Sequence, residues 1–119
     1  MSDDSPVVWV ANFSGHNYSD AERFGKVRFI TEGYLSLRYL DRVFFEVVKG
    51  SRETKPSDYF LLSGMNLVNV LAAMVWFHKH SVMNALIWDK KEKAYRIFEL
   101  TSEHMDYTIA QIQSEAFDE

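Results

Sequence analysis

The densest chemistry in the chain lies in "NFSGHNY", residues 12–18. Asn12, Ser14, His16, Asn17 and Tyr18 bring two amides, a hydroxyl, an imidazole and a phenol into seven positions. Phe13 and Gly15 belong to the same candidate set. A ligand carrying a base and phosphates can use all of these groups. The competing reading is a polar surface turn in which His16 is simply solvated. A second segment, Ser63-Gly64-Met65-Asn66, repeats the Ser-Gly-plus-amide pattern and opens a helix, and its Gly64 lets the backbone approach a ligand closely. Free N–H groups and the positive dipole end of such a helix favour a phosphate or carboxylate. Its structural alternative makes Asn66 an N-cap and Gly64 a tight turn. Thr31, closing a strand, and Arg42, with a guanidinium fork that matches phosphate, complete the candidate ligand-binding set. Arg23, Arg28 and Arg52 are further phosphate partners, and Arg42 can instead pair with Glu46 one turn on.

For catalysis the sequence offers less. His16 is the one general acid or base near these loops. If the protein is an enzyme, His16 carries a metal-independent phosphodiester cleavage by positioning the ligand's own 2′-hydroxyl; otherwise no catalytic residue is assigned. There is no Gly-x-Ser-x-Gly elbow and no His-Glu-x-x-His. His78 and His80 stand two apart, whereas a helical zinc pair stands four apart, so no metal site is expected. The Gly-x-Gly-x-x-Gly fingerprint and the Walker loop are both missing. Nicotinamide and ATP are therefore disfavoured, and no cofactor is expected.

Composition sets the frame. The 119 residues are enough for one domain, with an α/β body over 1–100 and an acidic helix or tail over 101–119. Hydrophobic residues make up 47% and aromatics 15%, so the chain can build a real core. With no cysteine, a disulfide scaffold, a thiolate metal site and a Cys nucleophile are excluded. That fits a reducing cytoplasm, the host's if the protein is viral. The opening "MSDDSP" has no apolar signal core, and no apolar run approaches the ~18 residues of a membrane span. Net charge is −4, and all five charges from Thr101 onward are acidic. The body is thus near neutral, which argues against long nucleic acid as a partner.

The elements that must hold the loops follow from periodicity. Val7–Phe13 is a buried strand ended by Ser14-Gly15. Ser19 and Glu22 form a capping box for one or two helical turns that stop at Gly25. Lys26–Thr31 alternates as a second strand. "SLRYLDRVFFEVVKG" is a helix, capped by Ser36 and ended by Gly50, with Leu37, Leu40, Phe44, Val47 and Val48 on its apolar face. A linker, "SRETKPS", leads to a central strand over Asp58–Ser63. Asn66–His80 is a helix whose apolar face holds Leu67, Val70, Leu71, Met74 and Phe77. Its middle is apolar nearly all round, which suggests burial on two sides, with a partner subunit as one source of the second. Val82–Asp89 and Ala94–Leu100 form a hairpin around "DKKEK". Ser102–Phe117 is either an amphipathic helix through Met105, Ile109 and Ile112 or a loose tail. The fold expected is a small Rossmann-like α/β domain of two or three layers. Its sheet has about five strands, the first three parallel, with two main helices and a C-terminal hairpin. In such a sheet both Ser-Gly loops lie beyond the carboxyl ends of strands, where ligands bind.

"VVWVANFSGHN" resembles the first strand of the viral ring nucleases, small anti-CRISPR proteins, over Val8–Ser14. "DYFLLSG" looks like a nucleotide-binding loop of SLOG-type domains, and the whole chain looks like small phage proteins. The resemblances imply a homo-oligomer, a dimer or higher, that binds a nucleotide-derived immune signal of cyclic-oligonucleotide or ADP-ribose type. A phage would use it to sequester that signal as an anti-defence sponge. The sequence departs from the ring nucleases after Phe13, and His16 does not align with their catalytic histidine. Two alternatives stay open: a ring-nuclease-type phosphodiesterase, and a protein-interaction module without a small ligand.

Overall fold

The computed structural model describes residues 5–13, 17–36, 38–63 and 67–117. Its five strands are β1 (Val7–Phe13), β2 (Lys26–Glu32), β3 (Tyr59–Leu61), β4 (Val82–Asp89) and β5 (Ala94–Thr101). They form one sheet in the order β2-β1-β3-β4-β5. The first four are parallel, and β5 runs antiparallel to β4. Three helices accompany them: α1 (Leu40–Gly50), α2 (Leu67–His80) and α3 (Ser102–Phe117). The mixed α/β architecture, the parallel first three strands and the C-terminal hairpin are those the sequence pattern led us to expect.

β1 takes an interior place because it is apolar on both faces. Val8, Trp9, Val10 and Ala11 are all buried, the mark of a strand covered on two sides. Trp9 joins Phe60 and Met83 beneath α1 and α2, against Val47, Leu71 and Trp76. Val8, Val10, Leu61 and Leu86 face the other way, where the β1–β2 connection covers them with Tyr18 and Ala21. Fully burying a side chain such as Phe60 or Leu61 is worth about 1.5–3 kcal/mol.

The buried faces of both helices match those expected only in part: Val47 and Leu71 are buried, and Leu67 and Phe77 pack against the core. α1 starts at Leu40 rather than Ser36, and its N-cap, Tyr39, makes no side-chain cap bond. Its buried residues are Val43 and Val47, while Leu40, Phe44 and Val48 are exposed; Leu37 lies outside the described residues. The reason is Gly50, which shares the Val43–Val47 stripe. A Cβ there would stand 1.8 Å from the Ile30 carbonyl oxygen, so only this stripe lets the helix lie against β2. Gly50 therefore serves close approach, and Ser51 caps the helix instead, its hydroxyl donating to Val47 O at 2.7 Å. In α2, Val68, Leu71, Ala72, Val75 and Trp76 are buried, whereas Val70 and Met74 are 53% and 56% exposed. The Trp76 indole donates to Val82 O at 2.8 Å, which fixes the helix's rotation. One side of α2 is buried within the chain.

Two smaller elements also differ. The expected capping box is a 3₁₀ turn over Ser19–Ala21, stabilised by Asn17 Oδ1 accepting the Ser19 N–H at 2.9 Å. β3 is shorter than Asp58–Ser63, because Asp58 turns its carboxylate inward to collect N–H groups.

α3 is the amphipathic helix of the two alternatives left open, and its side chains stand off the described body. Residues 103–115 are all exposed. The radius of gyration is 16.2 Å, against about 13.5 Å for a compact chain of this length.

Candidate functional site

The strand order reverses at β1, which has β2 on one side and β3 on the other. Val10 is in register with both Phe29 and Leu61. Phe13, Glu32 and Ser63 consequently leave the sheet at one edge. The chain departs from β1 toward the 3₁₀ face and from β3 toward the α2 face. In an open α/β sheet, the point where the chain parts to opposite faces is the usual ligand position.

The described candidate residues take definite places around this edge. Asn12 and Thr31 are register partners. The Thr31 hydroxyl donates to Ala11 O at 2.7 Å and lies 3.2 Å from Asn12 Oδ1. A bifurcated bond of this kind holds the Asn12 amide at the strand end. Phe13 is 48% exposed and meets Phe29 edge-on, 5.0 Å between ring centres. Tyr18 is 8% exposed and packs on Phe29 at 5.8 Å, so its ring belongs to the core. Asn17 spends its side-chain oxygen on the 3₁₀ turn, an Asx-type local bond. Ser63 offers its carbonyl to Asn69 Nδ2 at 2.6 Å. Ser14, Gly15, His16, Gly64, Met65 and Asn66 lie outside the described residues.

Arg42 is placed apart from this group. It stands exposed on the first turn of α1, beside Tyr39 in two shallow grooves that contain none of the β1 or β3 candidates. Arg28 is committed elsewhere: it pairs with Glu53 at 2.9 Å and covers the Trp9 ring. Arg23 covers Phe24 and reaches Tyr95 O at 3.4 Å.

Asn69 is a residue beside the candidate site that the sequence reading missed. It is a buried polar residue in the otherwise apolar "LVNVLAA", and it fastens the chain leaving β3 to the first turn of α2. The signal was present: a short amide inside a buried helix needs a partner.

A second polar centre, also missed, occupies the opposite edge. Lys79 Nζ donates to Ser51 O at 2.5 Å and to Thr54 Oγ1 at 3.1 Å. The Thr54 hydroxyl spends its one proton on Ser51 O at 2.8 Å. His80 Nε2, 2.9 Å away, must therefore be the donor to Thr54. Burial holds Lys79 below the usual lysine range. Burial also lowers His80, aided by the Lys79 charge and opposed by Asp58 and by the bond with Thr54. Thr54 is only 6% exposed and its proton is committed, so this cluster is a staple between the ends of α1 and α2. Among the described residues, no three His, Asp or Glu side chains converge as metal ligands. No described helix is long and apolar enough to cross a membrane.

Comparison with known proteins yields a single kind of match. The family model for the Phage Pam3 gp32-like protein matches residues 8–102, which span all of the sheet but Val7 together with α1 and α2. No curated protein and no solved structure matches the chain. The match is thus to a phage family, and neither the ring-nuclease nor the SLOG-type resemblance finds support in it.

Proposed function

The chain belongs to the Phage Pam3 gp32-like family, and from that premise we propose a small, Rossmann-like phage protein that binds and sequesters a nucleotide-derived signal. One observation carries the reading. β1 and β3 are neighbours at the point where strand order reverses, and in the sequence Ser14-Gly15 follows the one and Ser63-Gly64 the other. The helix that follows the second segment begins at Leu67, and free N–H groups at such a start favour a phosphate. Phe13, half exposed at the end of β1, is available to a base. The near-neutral body suits a small charged ligand over a long polyanion. Capture without turnover would lower the free concentration of a host messenger in proportion to the protein made.

The test is an uptake assay. The full chain is incubated with cyclic oligonucleotides and with ADP-ribose derivatives, stripped of free ligand, heat-denatured and assayed for what it releases. Release of intact nucleotide is the expected result. A ligand at 100 times its Kd should add about 2.7 kcal/mol to unfolding stability, visible as a raised Tm. Cleaved product that disappears in His16→Ala would replace sequestration with hydrolysis. No retention of any nucleotide would overturn the proposal.

A further inference from the structure

α3 joins β5 without a connecting residue: Thr101 ends the strand and Ser102 begins the helix. The junction is locked. Thr101 Oγ1 accepts the His104 N–H at 3.0 Å, and the Ser102 N–H donates to Ser81 O at 2.9 Å. A helix that folds back on its own sheet needs a turn of a few residues, and none is provided. The apolar stripe Met105, Ile109, Ile112 is therefore left in solvent, each residue 47% exposed or more.

A matching surface exists on the same chain. Phe44 and Val48 of α1 and Met74 and Val75 of α2 line a groove of about 370 Å³, with His78 and Lys79 on its rim. Phe44, Val48 and Met74 form the stripes that both helices turn away from the core. The charges are complementary. α3 carries Glu103, Asp106 and Glu115 with no Lys or Arg. At 100° per residue, Asp106 and Glu115 flank the apolar stripe on opposite sides. The lengths also agree: about 24 Å for α3 and about 21 Å for α2.

We infer that the occupant of this groove is α3 of a second copy of the chain. Two copies exchange helices about a two-fold axis, each seating Met105, Ile109 and Ile112 between its partner's α1 and α2. An exchange of this kind is isologous and closed. Two helices of this length seated reciprocally bury on the order of 1,600 Å², the size of a standard stable interface. Oligomerisation then comes from the helix whose apolar stripe is exposed in its own chain.

The experiment uses the full chain. Sedimentation equilibrium at high micromolar concentration should give twice 13.9 kDa. The double variant Ile109→Asp, Ile112→Asp should be monomeric with the circular dichroism of a folded body. Because the chain has no cysteine of its own, trans contact can be read directly. Met74→Cys and Ile112→Cys chains, mixed and oxidised, should yield a disulfide-linked heterodimer on a denaturing gel. A monomeric wild type overturns the inference. So does a dimer that survives the double Asp variant, or a mixture that gives no Met74–Ile112 cross-link.

Discussion

The indole N–H of Trp9 donates to the carboxylate of Asp58 at 2.9 Å, across 49 residues of sequence. The same carboxylate accepts the Val7 and Lys55 N–H groups, each at 3.0 Å, and is wholly buried. It ties the start of β1 to the start of β3 and so fixes the register of the two strands whose other ends form the candidate site. Asp58→Ala strands three donors at once. The expected loss is about 3–5 kcal/mol of unfolding free energy, the scale for breaking a buried charged network. A urea melt checks it, and an unshifted midpoint would remove Asp58 from this role.

Stability should fall on mild acidification, and His80 should be the cause. Its folded pKa lies below the ordinary value because burial disfavours the imidazolium, and the Lys79 charge adds to that. Between the folded pKa and about 6.5 the unfolded chain binds more protons than the folded one, so stability rises with pH there. It is complete above about 6.5 and lost as pH falls through the folded value. His80→Gln should flatten the dependence of Tm in this window. Asp89 is held low first by the Glu92 N–H, and it acts only at more acidic pH. An equal fall in both proteins above that range would show that another group titrates.

The strands were legible in the sequence because alternation and unbroken apolar runs report burial directly. Val7–Phe13 and Val82–Asp89 were placed to the residue. That Phe13 and Ser63 leave the sheet at one edge was also within reach, since parallel strands end on the same side. The helix faces were legible only in part, through Val47 and Leu71. α1 has two apolar stripes, Leu40-Phe44-Val48 and Val43-Val47, and hydrophobicity alone ranks the bulkier one first. What decides is Gly50, and its importance shows only when Ile30 lies beside it. Asp58 and Thr54 were hidden for a similar reason. In "SRETKPSD" they look like solvated linker residues until N–H groups from distant segments converge on them.

Gly50→Ala gives a test with a diagnostic sign. Inside an ordinary helix the change stabilises by up to about 1 kcal/mol. Here the new Cβ would meet the Ile30 backbone, which cannot rotate away as a side chain does. Forcing α1 off β2 should cost about 1–3 kcal/mol, the scale of overpacking. A thermal melt distinguishes the two, and a stabilised variant would mean that α1 does not approach the sheet this closely.

Thr31→Val separates a structural from a recognition role at the carboxyl edge. Valine keeps the shape of threonine but removes the hydroxyl bonded to Ala11 O and close to Asn12 Oδ1. The stability cost should be about 1 kcal/mol, that of one hydrogen bond. The larger effect should be on ligand affinity, because the Asn12 amide loses the contact that orients it. A weakening of about tenfold, or 1.4 kcal/mol, is expected for the nucleotide retained in the uptake assay. Asn12→Ala should weaken binding at least as much with a smaller loss of stability, since Thr31 keeps its bond to Ala11. Calorimetric titration of both variants, beside their melts, gives the two quantities independently. Wild-type affinity in both would place the ligand away from the ends of β1 and β2.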